Sequence, residues 1–241
     1  MRGFIDIHTH ILPGADDGAP CMETALALIN SARSNGTRTL VLTPHYRGRY
    51  KRNTPDTLRQ IFHQLETQVQ AQWPDMQLFL GQEIYYEIDA PERLAAGSIL
   101  SLNGSHHALL EFHPTSTRTE VIRGVSEIIN SGFTPIVAHA ERYTIFRKDS
   151  ALLEEVLNMG SLIQLNTSSI MGEHGFGIKR FCHKLLSEEK AHFIASDAHD
   201  INHRPPLLRD CFLWICKKYG NDYARKLFYE NPLAVINHQD I

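Results

Sequence analysis

The 241-residue sequence predicts an α/β fold, a distorted seven-stranded parallel β/α barrel of the TIM type. Three observations lead there. Seven short apolar, strand-like runs alternate with amphipathic helical stretches, as right-handed βαβ units of a parallel sheet require. Those runs repeatedly end in His, Asp or Glu, as barrel strands do when their C-terminal face carries a site. The length suits one domain over residues 1–241, because such barrels are built from about 250 residues.

In chain order the strands fall at Phe4–Ile7, Thr39–Thr43, Gln77–Gly81, Ala108–Phe112, Thr134–Ala138, Ser161–Leu165 and His192–Ser196. Between the first two, Met22–Arg33 places Met22, Ala25, Leu26 and Ile29 on one helical face. Thr54–Gln72 does the same with Leu58, Ile61, Phe62, Leu65 and Val69. Further helices are predicted at Arg118–Ser131, Ala151–Met159, Lys179–Ser187, Leu207–Tyr219 and Tyr223–Tyr229. Gly36, Gly132, Gly160 and Gly220 stand where helices need a left-handed terminal residue. Seven strands rather than eight predict an irregular barrel. No linker, low-complexity tract or repeat divides the chain.

A net charge of −3 gives no global attraction to nucleic acid or anionic membrane. No run approaches the roughly 18 apolar residues of a membrane span, and Asp6, His8 and His10 interrupt any N-terminal leader-like segment. Cys21, Cys182, Cys211 and Cys216 lie singly, without CxxC spacing. They read as reduced, buried thiols of a cytoplasmic protein.

The chemistry concentrates at the strand ends. His8-Thr-His10 closes the first run with both imidazoles on one side of an extended chain, and Asp16-Asp17-Gly18 follows. His45, Glu83, Glu111, His139 and the pair Asp197/His199 close later runs. Taken singly, each has a bland explanation: turn-bonding aspartate, surface histidine, helix cap. Their recurrence at one topological position is what points to metal. Nine candidate ligands, His8, His10, Asp17, His45, Glu83, Glu111, His139, Asp197 and His199, are too many for one ion. Two or three divalent ions with bridging carboxylates accommodate them, and imidazole with carboxylate suits Mn²⁺, Fe or Zn²⁺. Closely spaced ions serve in-line displacement at phosphate esters. Arg142 and Arg204 follow His139 and His199 on loops of the same face, where a guanidinium fork matches phosphate oxygens. The basic run Arg47-Gly-Arg49-Tyr-Lys51-Arg52 after His45 is placed to guide an anionic peptide.

These residues resemble the polymerase-and-histidinol-phosphatase (PHP) superfamily of metal-dependent phosphoesterases. Within it they are most similar to the CpsB/CapC/YwqE-type bacterial tyrosine-protein phosphatases of capsule and exopolysaccharide gene clusters. The resemblance runs through Asp6-Ile-His8-Thr-His10-Ile-Leu-Pro-Gly-Ala-Asp-Asp17-Gly, Thr43-Pro-His45-Tyr, Gly81-Gln-Glu83-Ile-Tyr and Leu110-Glu111-Phe. It continues through Ala138-His139-Ala-Glu-Arg142-Tyr, Gln164-Leu-Asn166-Thr-Ser-Ser169 and Ala195-Ser-Asp197-Ala-His199-Asp, with Arg204-Pro-Pro206. The Met171-Gly-Glu-His174-Gly loop departs from the pattern without touching a candidate ligand.

The resemblance implies a PHP fold with three divalent ions, usually Mn²⁺. It places His8, His10, Glu83 and Asp197 on one ion and Glu83, Glu111 and His139 on a second. Asp17, His45 and His199 fall on the third, and Arg142 and Arg204 on the substrate phosphate. The implied partner is the phosphotyrosine-bearing tail of a bacterial tyrosine kinase, attacked directly by a metal-bridging hydroxide with no phosphoenzyme. Tyrosinate is a comparatively good leaving group, since the phenol pKa is about 10, and no general acid is assigned. None of the four cysteines is followed six positions later by arginine, so the phosphate cradle of cysteine-dependent phosphatases is absent. Two other readings compete. A PHP phosphoesterase of histidinol phosphate would share the ligands, and a catalytically silent metal-binding regulator of the kinase would show a broken ligand set.

Overall fold

Every strand pairing among the described residues is parallel. The computed structural model describes residues 3–241. The first strands are β1 (Phe4–Thr9), β2 (Thr37–Leu42), β3 (His45–Tyr46), β4 (Gln77–Leu80) and β5 (Glu83–Tyr85). They are followed by β6 (His107–Glu111), β7 (Thr134–Val137), β8 (Leu162–Asn166) and β9 (Phe193–Ala195). The expected seven runs are all present, as β1, β2, β4, β6, β7, β8 and β9, and the short strands β3 and β5 were not predicted. Pro44 lacks the N–H that would continue a ladder, so β2 stops before it and β3 begins after it. Gly81-Gln82 likewise separate β4 from β5.

The splits divide the hydrogen bonding into the orders β1-β2-β4 and β3-β5-β6-β7-β8-β9. Gly81 N–H still donates to Leu42 O at 2.9 Å and Glu83 N–H to Pro44 O at 3.2 Å, so the two parts remain one curled wall. Thr9 bridges Ala198 in parallel, and His10 N–H donates to Ala198 O at 2.8 Å. First and last strands thus meet, and the sheet returns on itself as a distorted barrel.

Alternation along the strands sorts side chains into layers. Leu110, Val137, Ile163, Leu165 and Ile194 pack outward against helices such as Arg118–Asn130, Ser150–Asn158 and Phe176–Ser187. Leu40 and Leu42 pack against Met22–Ser34 and Pro55–Gln72. Ile5, Ile7, Val41, Leu109, Ile136, Leu162, Phe193 and Ala195 form a separate inner cluster with Val235 and Ile236. On β6, β8 and β9 the inner residues share parity with Glu111, with Gln164 and Asn166, and with Asp197. The polar layer therefore stands on a dry apolar floor.

Local signals set the helix ends. Thr117 and Glu120 form a reciprocal capping box at the start of Arg118–Asn130, worth about 1 kcal/mol. Gly36, Gly132, Gly160 and Gly220 all adopt positive φ after their helices. Four short helices, Ala90–Ala95, Thr144–Lys148, Thr167–Met171 and Asn231–Ile236, were not predicted, being too brief to show a period. The predicted helix Tyr223–Tyr229 is instead one α-turn, Asn221–Arg225, running into a π-helical turn at Lys226–Glu230. The expectation of four buried thiols is corrected. Cys182 and Cys211 are buried, whereas Cys21 is exposed ahead of its helix and Cys216 is half-buried. No helix among the described residues is long and apolar enough to cross a membrane.

Candidate metal centre

His45 and Glu83 are direct neighbours in the parallel register of β3 and β5, and Glu111 lies opposite Tyr85 on the next strand. The breaks that create β3 and β5 therefore set two carboxylates and an imidazole side by side at the barrel mouth. His8 and His10 reach the same space from β1, whose register shifts between Asp6 and Thr9. His139 and Asp197 sit two residues beyond their strands with φ of 34° and 55°. Left-handed backbone is uncommon outside glycine, and at a site it serves to aim a side chain. Asp197 N–H donates to His8 O at 3.0 Å and His139 N–H to Gln164 Oε1 at 2.8 Å, which holds both turns.

The nine predicted ligands form four interlocking groups: His10/Asp17/His45/His199, His8/His10/Asp197, His8/Glu83/His139 and His45/Glu83/Glu111. Within each group the donor atoms lie within 4.8 Å of one another. Membership is shared more widely than the implied three-ion partition, for His8, His10, His45 and Glu83 each belong to two groups. His8 Nε2 and His10 Nε2 are 3.1 Å apart, and each is 3.4 Å from Asp197 Oδ1. Glu83 stands 3.3 Å from His8 Nε2 and 3.5 Å from His10 Nε2. Donors held at about 2.1 Å around one ion are roughly 3.0–3.4 Å apart, so this spacing fits a shared cation. His199 Nε2 is buried with no hydrogen bond, and so is Glu83 Oε2 although His45 Nδ1 lies 2.7 Å away. Such orphaned buried groups are costly unless something binds them. The donor set fits divalent metal.

Supporting bonds fix which nitrogen faces inward. His10 Nδ1 is 2.6 Å from Asp16 Oδ2, and His8 Nδ1 is 3.0 Å from Gln164 Oε1. His199 Nδ1 lies 3.0 Å from Asp197 O. Each Nδ1–H is thereby satisfied, leaving Nε2 toward the centre, as metal-bound histidines require. Gln164 Nε2 donates to Asn166 Oδ1 at 2.7 Å, and Asn166 Nδ2 donates to Asp197 Oδ2 at 2.9 Å. Asp16 also receives Gly18 N–H and His45 N–H. Gly18 is required by packing: a Cβ there would lie 1.8 Å from His10 O.

Asp16, Gln164 and Asn166 were not selected as site residues from sequence. The available signals were the Asp16-Asp17 doublet and the period-two polar pair on the otherwise apolar β8. Arg47 was also missed as a direct neighbour, and it donates to Glu111 at 3.2 Å.

Burial opposes charge throughout the cluster, but Glu83 and Asp197 outweigh it at His8 and hold that imidazole's pKa up. Against the same burial, Asp16 raises His10 to about 10. Glu83 and Asp197 are held well below the usual carboxylate range despite burial, by His8 and His45 and by His8 and Arg142 respectively. Glu111 is pushed up to about 8 by burial and by the Glu83 charge. Burial lowers His139 to about 4, while burial with His10 lowers His199 to about 2. A cation entering here competes with the proton on His10, the usual linkage between metal and proton binding.

Arg142 Nη1 and Arg204 Nη2 both contact Asp197 Oδ2, at 2.8 Å and 2.5 Å. They reach the donor cluster through the carboxylate whose other oxygen faces His8 and His10. Each guanidinium has five N–H donors, so one contact leaves most of the fork free.

The family model for capsular polysaccharide synthesis, CpsB/CapC, matches residues 4–237. The chain belongs to the CpsB/CapC family. Among its relatives, the tyrosine-protein phosphatase CpsB of Streptococcus agalactiae is 32% identical over 241 residues, covering 98% of this chain and 99% of that protein. CpsB of Streptococcus pneumoniae is 33% identical with the same coverage. A solved structure from the pair Bacillus subtilis YwqE and S. pneumoniae CpsB, described as unique metal-dependent tyrosine phosphatases, superposes with a TM-score of 0.92 at 29% identity. The match covers 98% of this chain and 96% of that one. Likeness at that level extends over nearly the whole of this CpsB/CapC chain.

The cysteines of this family member lie outside the donor cluster. Burial holds the Cys182 and Cys211 thiols far above their ordinary range, so neither is a thiolate at neutral pH. Replacing all four cysteines, with alanine at the buried positions, should leave turnover within about threefold of wild type, apart from packing losses. Loss of turnover through one cysteine in a normally folded variant would revive covalent catalysis.

Proposed function

We propose that this chain is a metal-dependent protein-tyrosine phosphatase, a phosphoric monoester hydrolase acting on phosphotyrosine in proteins. The observation that carries the reading is the convergence of two arginines on Asp197, inside a nine-residue imidazole–carboxylate cluster. Similarity to tyrosine phosphatases over nearly the full chain supports it. The finer reading is a single catalytic domain over residues 1–241 holding three ions, Mn²⁺ before Fe or Zn²⁺. His8, His10, Asp17, His45, Glu83, Glu111, His139, Asp197 and His199 would hold them. The substrate is the phosphorylated tail of a tyrosine kinase that governs capsule or exopolysaccharide synthesis. The free cysteines fit a cytoplasmic setting.

Divalent ions bound there supply Lewis acidity and lower the pKa of water toward neutrality. The chain's own groups do the rest. Asp16 and Gln164 hold His10 and His8 in the tautomer that presents Nε2. Arg142 and Arg204 bind the phosphoryl oxygens and gain strength as negative charge redistributes over them. Asp197 keeps both guanidiniums in place. The phenolate leaves without an assigned protein acid, as its modest basicity allows.

Arg142→Ala and Arg204→Ala should each lower kcat/KM on a phosphotyrosine peptide by about 10²-fold. Lysine should rescue only partly, having charge without the planar fork. Metal content measured on the same samples should stay near wild type, because Asn166 and the imidazoles continue to hold Asp197. Near-normal kinetics, or activity lost only in step with metal, would remove both residues from phosphate binding.

A further inference from the structure

The turn Arg47-Gly48-Arg49-Tyr50-Lys51-Arg52 leaves β3 directly after His45 and holds four cations in six positions. Two are neutralised within the protein. Arg47 pairs with Glu111 at 3.2 Å and approaches Asp17 at 3.8 Å, and Lys51 pairs with Glu87. Arg49 and Arg52 are exposed and pair with no carboxylate among the described residues. The nearby acids Asp17, Glu87 and Glu111 are already engaged, so positive charge is in surplus at this side of the mouth.

An ordinary solvated run of basic residues would have no fixed relation to the site. This one does. Tyr50 is buried, and its ring stacks on His45 with centroids 6.1 Å apart and 19° between planes. Arg49 lies over the same ring, 4.9 Å from its centroid, and donates to the Tyr50 hydroxyl at 2.8 Å. Asn53, just past the turn, donates to Ala15 O in the loop that carries Asp16 and Asp17. His45, Tyr50 and Arg49 thus tie an exposed guanidinium to the edge of the donor cluster.

We propose that this turn recognises acidic residues flanking the phosphotyrosine of a protein substrate, with Arg49 and Arg52 making the contacts. The proposal rests on the phosphatase reading above and adds its sequence preference. Exposed charges act additively and weakly, so the preference comes from several of them together and fades with salt.

The test uses two phosphotyrosine peptides of equal length, one with Asp and Glu flanks and one with Ser and Gln flanks. In metal-loaded wild-type protein at low ionic strength, the acidic peptide should lead in kcat/KM by about tenfold, through KM. In the Arg49→Ala/Arg52→Ala double variant that ratio should fall to near unity, and Arg49→Lys/Arg52→Lys should restore most of it. Because the readout is a ratio, a partly folded variant lowers both rates and leaves the conclusion intact. Equal use of the peptides by wild type, or an unchanged ratio in the alanine variant, overturns the proposal. The same ratio is read from equilibrium binding of the two peptides. Absence of turnover would therefore count against the phosphatase reading, while binding still decides the role of the turn.

Discussion

Removing divalent metal should abolish hydrolysis of an aryl phosphate, and Mn²⁺ should restore it more fully than Zn²⁺ or Fe. The reason lies in what the chain retains without metal. Against burial, the carboxylates Glu83 and Asp197 keep their charge and hold the His8 pKa up, while Asp16 raises His10 to about 10. No thiolate lies in the cluster to replace water as nucleophile. A loss of at least about a thousandfold is expected, since water then keeps its ordinary pKa instead of one lowered toward 7. Readdition should release protons as activity returns. Full turnover in a verified metal-free preparation would refute the mechanism. Vanadate inhibition would not discriminate, because vanadate occupies metal sites and cysteine cradles alike.

Glu83→Ala is the single substitution expected to do most harm. The Glu83 carboxylate is fully buried and lies 2.7 Å from His45, 2.8 Å from His139, 3.3 Å from His8 and 3.5 Å from His10. Four imidazoles depend on one negative charge, and two of the four donor groups contain it. Removing one partner of a buried charged set leaves the others uncompensated, which is strongly destabilising. Metal content and rate should fall together, the rate by about 10³-fold, as for loss of a group acting on the reacting centre. Glu83→Gln keeps shape and loses charge, and should sit between the two. A Glu83→Ala protein with wild-type metal stoichiometry and wild-type rate would contradict the bridging role.

Much of this was legible in the sequence because barrel strands show their faces. Polar residues ending apolar runs mark the C-terminal mouth, and Glu83, Glu111 and Asp197 were picked out by that recurrence rather than singly. The strands after Pro44 and Gly81 were less legible. The predicted runs stop at Thr43 and Gly81, and only the three-dimensional ladder shows that β3 and β5 follow in a different row from β2 and β4. The left-handed turns at His139 and Asp197 carry no sequence signal, since both residue types are unremarkable at φ below zero. The supporting bonds through Asp16, Gln164 and Asn166 were hidden for another reason. The Asp16 bond to His10 is set by a loop conformation, while Gln164 and Asn166 meet His8 and Asp197, 156 and 31 positions away, only once the strands assemble. Arg142 and Arg204 were placed on the correct face, but their shared contact with Asp197 follows from loop geometry rather than from spacing.

The central claim is metal-dependent hydrolysis of phosphotyrosine. Its most direct test is turnover by the Mn²⁺-reconstituted protein on a phosphotyrosine peptide, a phosphoserine peptide and histidinol phosphate, side by side, with and without chelator. The same donor cluster would serve any phosphate monoester, so the panel separates substrate class from chemistry. The account predicts that kcat/KM on phosphotyrosine exceeds the other two by about 10²-fold, reflecting a leaving group of pKa about 10 against far more basic alkoxides, and that chelation removes all three activities. Preference for histidinol phosphate or phosphoserine, or phosphotyrosine hydrolysis that survives chelation, would contradict it.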